Sequence, residues 1–248
     1  MTNNLARWQQ PVGVRMFIVF DRDRPSESPF IERVWSCHSE RAGTFSSVAS
    51  PHCEMVFTRL RGSISVTVRG PETRARQVEC PADGEWLAIR FKAGTFIRSL
   101  PALQLIDGTD AQLPQASRNS FWLQGERWEY PGFDNAEAFV TRLARADVIA
   151  HDSTVAAALN GDAQALSQRS IQRRFLSVCG VSFTALRQIE RARRAARLLT
   201  NGLPIVDVLH ETGFYDQAHL TRSMQRYVGA TPAAVLRGEQ QLSFLYKK

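Results

Sequence analysis

Two segments in the second half of the sequence carry amide, guanidinium and hydroxyl side chains at helical spacing. The first segment, residues 168–173, contributes Gln168, Arg169, Gln172 and Arg173. The second segment, residues 217–222, contributes Gln217, His219, Thr221 and Arg222. Gln suits the edge of adenine, Arg suits guanine, and the methyl group of Thr suits thymine. These residue types indicate hydrogen bonding to base edges of double-stranded DNA.

The second segment follows a glycine turn. Pro204 fits the first turn of a helix that ends at Thr212, and Asp216 fits the start of a helix that stops at Gly229. Gly213 lies between them, where a tight reversal requires a left-handed residue. The pattern over Ile205 to Tyr227 predicts a helix-turn-helix unit. Taken alone, it is equally compatible with a helical hairpin whose polar face is only solvated.

The first segment has its own start and stop signals. Ser167 is a capping residue, and Gly180 fits the end of a helix through Cys179. A long helix from Phe183 to Thr200 follows, with Ser182 as its cap. We expect an apolar stripe on this helix, surrounded by Arg187, Arg191, Arg193, Arg194 and Arg197. Its 18 residues span roughly 27 Å, close to the ~34 Å of one duplex turn, so both polar segments are predicted to enter successive major grooves.

Other signals complete a helical half. We expect Asn135 to cap a helix to about Ile149, Asp152 or Ser153 to cap a short helix through Leu159, and Thr231-Pro232 to open the last helix. These signals predict about seven helices. The sequence therefore divides into a β-rich domain over 1–134 and a helical domain over 135–248.

Charge is distributed unevenly between these two parts. The formal net charge is +7; residues 1–134 carry +1 of it and residues 135–248 carry +6. A phosphate backbone is a natural partner for the helical part. No apolar run reaches the ~18 residues of a membrane span, and residues 1–10 are too polar for a secretory signal. We expect a cytoplasmic protein without a membrane partner.

The first half alternates apolar and polar residues with a period of two, which is typical of strands. The predicted strands are Val12–Phe20, Phe30–Cys37, Met55–Leu60, Ser63–Val68 and Trp86–Phe91. Arg61-Gly62 is predicted to be a hairpin turn, with Phe57, Ile64, Val66 and Val68 facing inward. An antiparallel sandwich or barrel follows. Residues 101–131 are left unassigned.

Enzymatic chemistry has little support in the sequence. Only His38 and His52 lie in the first half, and Cys53 or Glu54 beside His52 makes a weak metal set. No phosphate loop or nucleophile elbow occurs. We therefore expect no catalysis, no cofactor and no metal. The alternative function is a metal-dependent barrel enzyme with a helical appendage. We expect the four cysteines to be reduced, and a thiol redox sensor is the less favoured interpretation of them. The tryptophans either line an effector pocket or fill the core; they are Trp8, Trp35, Trp86, Trp122 and Trp128.

RSIQRRF, the Arg-rich helix and GFYDQAHLTRSMQRYVGATP together resemble the DNA-binding domain of the AraC/XylS family of transcriptional regulators over about 136–240. Gly229, Thr231 and Pro232 are the most specific part. The resemblance implies base contacts at Arg169, Gln172 and Arg173 in the first unit. In the second unit it implies base contacts at Gln217, Ala218, His219, Thr221 and Arg222, with only a van der Waals contact from Ala218.

The same resemblance bears on the N-terminal half and on partners. Ala88 to Pro101 resembles a strand, turn and helix start of the family's regulatory domains, which implies a cupin-like barrel that binds a small effector or mediates dimerisation. RNA polymerase and a second copy of the chain are further partners that it implies. The sequence departs from the family at Asn160-Gly161-Asp162, which predicts an extended turn, and at Leu209, where alanine is usual. The effector, the target site and the sign of regulation stay open.

Overall fold

The computed structural model of the chain describes residues 17–160, 167–239 and 242. The predicted α+β architecture is confirmed, with strands before residue 130 and helices after residue 152. The strands are β1 Ile18–Pro25, β2 Ile31–Ser39, β3 Gly43–Ser47, β4 Glu54–Leu60, β5 Ser63–Arg69, β6 Arg76–Cys80, β7 Glu85–Phe91, β8 Thr95–Ile97, β9 Ala111–Leu113, β10 Gln115–Ser117, β11 Ser120–Leu123, β12 Glu126–Glu129 and β13 Ile149–His151. The helices are α1 Ala136–Arg145, α2 Ser153–Asn160, α3 Gln168–Cys179, α4 Phe183–Thr200, α5 Ile205–Thr212, α6 Gln217–Tyr227 and α7 Pro232–Leu236.

The main sheet is antiparallel and has the strand order β1-β2-β7-β4-β5-β9. The predicted β4–β5 hairpin is confirmed, with Leu60 opposite Ser63. Arg61 and Gly62 both have positive φ angles, 49° and 78°, which a two-residue hairpin turn of the favoured hand requires. The predicted strand from Val12 is described only from Ile18 onward, because residues 12–16 lie outside the described part of the chain.

The two faces of the main sheet have different neighbours because side chains alternate along each strand. On β4, Met55 and Phe57 belong to a core that also contains Phe121 and Phe139. Val56 faces the other way, into a smaller cluster with Trp35 of β2 and Cys80 of β6. The two-stranded β3–β6 sheet therefore covers the second face, and a cavity of about 190 Å³ lies between the two sheets.

The chain after residue 134 first contributes to the N-terminal core. Phe139 and Leu143 of α1 are buried in that core, and β13 pairs with β8. The predicted helix to Ile149 is therefore too long: Asp147 has a φ of 57°, which ends the helix, and Ile149 pairs with Ile97. Asn135 occupies the N-cap position of α1, as predicted, but its side chain makes no capping bond to α1: its Oδ1 accepts from the Gly132 amide at 2.8 Å. α1 and β13 therefore pack with the strands of the N-terminal half.

The unassigned stretch 101–131 contains a 3-10 segment, Ala102–Gly108, that is kinked at Ile106 and Asp107, and the strands β9 to β12. Strands of three or four residues are too short to show a clear period in sequence. The predicted strand, turn and helix start over Ala88 to Pro101 is only partly correct. β8 and its pairing with β13 come between the turn and the 3-10 segment.

The C-terminal helices pack around α4. Its apolar stripe, including Ile189 and Leu199, forms a core with Val208 of α5 and with Leu220 and Met224 of α6. Val48 and Ala49 of the N-terminal half are buried in the same core. The segment that joins β3 to β4 therefore packs directly against the helical half. No helix in the described residues is long and apolar enough to cross a membrane.

Candidate nucleic-acid interface

The turn between α5 and α6 has the predicted geometry. Gly213 adopts φ 65° and ψ 33° and caps the end of α5, a conformation that is costly for residues with a Cβ. The Asp216 carboxylate accepts from the His219 backbone N–H at 2.6 Å and so caps α6. Phe214, Leu220 and Met224 are buried, as predicted. These contacts fix the orientation of α6 relative to α5.

The predicted base-contacting residues of α6 lie on its outer side to different degrees. Gln217, Ala218 and Arg222 are exposed, whereas His219 and Thr221 are half-buried. The His219 ring packs edge-on against Phe214, with centroids 5.1 Å apart. The Thr221 hydroxyl donates to the Gln217 carbonyl at 2.8 Å. The proton of the Thr221 hydroxyl is therefore engaged within the helix, whereas the hydroxyl oxygen can still accept a hydrogen bond.

The other predicted reading helix, α3, has similar end geometry. The Ser167 hydroxyl accepts from the Ser170 amide at 3.2 Å, and Gly180 ends the helix at a φ of 71°. Arg169, Gln172 and Arg173 are exposed, while Phe175 on the opposite side is fully buried. Gln168 is the first residue of α3. The extended turn predicted at 160–162 falls largely on residues outside the described part of the chain.

The exposed arginines of α3 and α6 that are predicted to contact bases differ from the adjacent Arg174 in whether a carboxylate pairs with them. In the part of the chain that the structure describes, no carboxylate lies within ion-pair distance of Arg169, Arg173 or Arg222. Arg174, by contrast, donates to Asp152, which also caps α2. A cation that is exposed and not neutralised by the protein is well suited to contact a phosphate or a guanine edge.

The long helix α4 connects the two units, and one of its arginines is placed differently from the prediction. Arg193 does not lie on the basic outer face: it is 4% exposed. Its Nη1 donates to the Ala49 carbonyl at 2.9 Å. Burial of the guanidinium lowers the pKa of Arg193 to about 10, and the nearby charge of Arg90 adds to the effect. The sequence did contain a signal for this burial: Arg193 lies four residues after Ile189, on the same side of the helix as the apolar stripe.

Arg191 of the same helix braces the second unit. Its guanidinium lies 4.4 Å from the centroid of the Phe214 ring, and its Nη1 donates to the Gly213 carbonyl at 3.5 Å. Arg194 pairs with Glu211 of α5 at 3.4 Å. α4 therefore holds α5 and the turn by polar contacts as well as by its apolar stripe.

Three of the candidate metal residues of the N-terminal half, His38, His52 and Glu54, lie beside other charged side chains. His38 is paired with Asp21 at 2.8 Å, and Glu54 accepts from Arg90 at 2.6 Å. His52 lies 3.4 Å from Glu32 and 3.7 Å from Glu190. Among the residues described here, no three His, Cys, Asp or Glu side chains converge as metal ligands would.

The four cysteines are free, and three of them are buried. Burial raises the pKa of the Cys53 thiol to about 12 and that of the Cys179 thiol to about 11. A raised thiol pKa keeps the sulfur protonated and unreactive at neutral pH. These two thiols therefore have the properties of packing residues.

The tryptophans have several environments. Trp35 and Trp86 line the cavity between the two sheets, which agrees with the pocket role predicted for some of the tryptophans. Trp128 is part of the main core, and Trp122 is 45% exposed. Trp8 lies outside the described residues.

Comparison with known proteins supports the reading of the helical half. Residues 162–238 match a family described as a helix-turn-helix domain. The HTH-type transcriptional regulator RipA of Corynebacterium glutamicum is 38% identical over 76 residues, which are 31% of this chain and 23% of that protein. The chain thus spans less than a quarter of the length of this curated relative. No solved structure matches the chain significantly.

The matched residues contain α3 to α7, and with them both predicted reading helices. This part of the molecule is a helix-turn-helix domain. The match agrees with the two helix-turn-helix units that the sequence motifs predict over the same residues.

Proposed function

We propose that the chain is a sequence-specific DNA-binding transcriptional regulator that inserts α3 and α6 into successive major grooves. The observation that carries this proposal is the pair of capped helices, each with exposed Gln and Arg side chains opposite a buried aromatic or aliphatic face. Arg169, Gln172 and Arg173 would read one groove. The second would be read by Gln217, Ala218, His219, Thr221 and Arg222, and Gln168 would act at the start of α3.

Charge supports the same proposal. Most of the net positive charge of the chain lies after residue 134, and contacts to phosphate supply most of the affinity of such proteins while base contacts supply the choice of site. The helix-turn-helix match over 162–238 and the similarity of 76 residues to the transcriptional regulator RipA support this proposal. A cytoplasmic location and contact with RNA polymerase would accompany this function.

The N-terminal half would modulate DNA binding. Its support is the direct contact between the two halves: the Ala49 amide donates to the Tyr227 carbonyl at 2.8 Å, and the Ala75 amide donates to the Arg226 carbonyl at 2.8 Å. Both acceptors lie at the end of α6. A change in the N-terminal half therefore has a short path to the second reading helix. Self-association of this half is a further proposed route. We also propose that the two domains divide near Asp152 and not after residue 134, because α1 and β13 pack with the strands.

Selection of duplexes from a random pool, followed by gel-shift titration, tests the proposal. We expect enrichment of a site with two short conserved blocks about one helical turn apart. Substitution of both Arg173 and Arg222 by alanine should abolish the enrichment, while Arg118→Ala, an exposed arginine of the N-terminal half, should preserve it. Recovery of no sequence above bulk DNA by the unmodified protein contradicts the proposal.

A further inference from the structure

Both predicted reading helices end against one loop of the N-terminal half. This β5–β6 loop consists of residues 70–75. An added Cβ at Gly180, the residue that ends α3, would lie 3.2 Å from Pro71 Cγ. An added Cβ at Gly229, which follows α6, would lie 3.1 Å from Ala75 Cβ. The β5–β6 loop therefore packs against the C-terminal ends of α3 and α6 without space for another carbon atom.

Backbone hydrogen bonds attach the β5–β6 loop to α6. The Ala75 amide donates to the carbonyl of Arg226, in the last turn of α6, at 2.8 Å. Within the N-terminal half, Glu72 and Ser50 exchange two backbone hydrogen bonds of 2.7 and 3.0 Å. A backbone group that is moved away from its partner inside a protein is costly. The end of α6 is therefore fixed to the loop, and the loop is fixed to the segment that precedes β4.

The same loop is attached to the structure that supports α3. The amide and the hydroxyl of Thr73 donate to the Asp107 carboxylate at 2.6 and 2.7 Å. The Asp107 amide donates to the Pro71 carbonyl at 3.0 Å. Asp107 belongs to the 3-10 segment that also contains Ala102, whose carbonyl group would lie 3.0 Å from an added Cβ at Gly180. The end of α3 therefore contacts both the loop and the segment to which the loop is bonded.

The two helix-turn-helix units have separate apolar cores. Phe175 of α3 and Leu186 of α4 belong to one buried cluster, and Ile189 of α4 and Leu220 of α6 belong to another. α4 contributes to both clusters, so it links α3 to α6 within the helical half. A second link at the C-terminal ends of α3 and α6 restricts rotations that a single connecting helix would permit. The β5–β6 loop has the contacts of such a second link.

We propose that the β5–β6 loop fixes the separation and the relative orientation at which α3 and α6 read DNA. The predicted base contacts lie in the first turns of the two helices, at 168–173 and 217–222, and the loop contacts lie at the opposite ends. Pro71 and Ala75 are therefore positioning residues, which act through the helix ends. The inference rests on the proposed function, because a fixed separation matters only to a protein that reads two grooves.

Gel-shift titration of a selected duplex, with and without one base pair inserted between its two conserved blocks, measures this effect. The insertion moves one block by about 3.4 Å and rotates it by about 35°. We expect the unmodified protein to bind the original duplex at least tenfold more tightly than the lengthened duplex. The ratio of these affinities does not depend on the fraction of folded protein, so a variant that is only less stable keeps the ratio. Equal affinity of the unmodified protein for the two duplexes overturns the proposal.

Ala75→Leu places a branched side chain where the loop meets Gly229. Because this side chain pushes the end of α6 away from the loop, we expect the affinity ratio to fall to about threefold or less. Arg74→Leu is the control, since Arg74 lies on the same loop and is exposed, and it should keep the ratio of the unmodified protein. An unchanged ratio in Ala75→Leu, or an equal fall in Arg74→Leu, contradicts the proposal.

Gly229→Ala makes the same test with a smaller change. Its Cβ would press on Ala75 Cβ at 3.1 Å, so it should lower the ratio, and Ala75→Gly in the same protein should restore it. Gly202→Ala is the matched control, because Gly202 has a φ of 85°, close to the 81° of Gly229, but its added Cβ would meet no described atom within 4 Å. It should lose similar stability and keep the ratio. Equal ratios in Gly229→Ala and Gly202→Ala contradict the proposal.

The outcomes distinguish this inference from the proposed function. If the unmodified protein selects a duplex and neither Ala75→Leu nor Gly229→Ala changes the affinity ratio, the role of the loop is wrong and the proposed function stands. If the unmodified protein selects no duplex, the proposed function is wrong and the role of the loop is wrong with it.

Discussion

At the scale of single residues, Arg222 is the side chain from which we expect the clearest effect on the choice of a base pair. It lies on the outer side of α6, and no described carboxylate pairs with it. If it binds a guanine edge through two hydrogen bonds, Arg222→Ala should lower discrimination at one base pair by about 1–3 kcal/mol and leave the rest of the site unchanged. Competition gel shifts with single-base variants of the selected site measure this. A uniform loss of affinity over all variants would instead identify Arg222 as a phosphate contact.

Thr221 makes a subtler prediction at the same scale. Its hydroxyl proton is engaged by the Gln217 carbonyl, so the hydroxyl can only accept from a base, and we expect the methyl group to make the contact with thymine. Thr221→Val keeps that methyl group and should preserve the preferred base, whereas Thr221→Ser removes it and should lower the preference for thymine. Affinities for the two duplexes that differ at that base pair provide the measurement. Loss of preference in Thr221→Val but not in Thr221→Ser would show that the hydroxyl reads the base.

At the scale of elements, the turn at Gly213 controls how α6 is presented. An added Cβ would meet no atom within 4 Å there, so the cost of Gly213→Ala is the left-handed backbone alone, about 1–2 kcal/mol. Gly132→Ala is the matched control, since Gly132 has a φ of −96° and its Cβ would approach only Asn135 Oδ1, at 4.0 Å. Denaturant titration should show a lower midpoint for Gly213→Ala and little change for Gly132→Ala. Equal midpoints would mean that the turn relaxes without cost.

The sequence predicted the helical elements well because their signals are local. Ser167, Ser182 and Asp216 each cap the helix that follows, and Gly180 and Gly213 end helices with positive φ angles. The exposure of the α3 and α6 side chains follows from helical period alone. The role of these side chains as base contacts remains a prediction, because exposure is also the property of a solvated face.

The features that sequence did not predict depend on contacts between distant residues. Arg193 is buried because Ala49, 144 positions earlier, accepts its hydrogen bond. The cavity forms because β3 and β6 fold over the main sheet, and neither strand was predicted from the sequence. α1 was placed with the helical domain because its local period is helical, although its apolar side packs against strands. No local pattern reports which surface an amphipathic element will cover.

For the whole molecule, the contact between the halves makes stability depend on pH. Burial of Glu190 on α4 would raise its pKa. The hydrogen bond with the His52 ring and the charge of the Arg193 guanidinium outweigh this effect, so the pKa of Glu190 falls from an ordinary 4.5 to about 2. A lowered carboxylate pKa contributes stability above pH 4.5 that is lost as the pH falls towards 2. Glu190→Gln should therefore have a lower unfolding midpoint than the unmodified protein at pH 7, and the difference should shrink as the pH falls from 4.5 to 3.

Denaturation of both proteins between pH 3 and 7 measures this dependence. Glu211→Gln is the control, because Glu211 is more than half exposed and pairs only loosely, at 3.4 Å, with Arg194. We expect its midpoint to follow that of the unmodified protein at every pH. A Glu190→Gln difference that persists unchanged at pH 3 would show that hydrogen-bond geometry, and not the charge of Glu190, holds the two halves together.

Hydroxyl-radical footprinting of the full chain on a selected duplex tests the central claim most directly. If α3 and α6 enter successive major grooves from one rigid scaffold, protection should appear as two patches about one helical turn apart on one face of the duplex. Arg173→Ala should weaken one patch and Arg222→Ala the other. A single patch, or two patches on opposite faces of the duplex, would contradict the account.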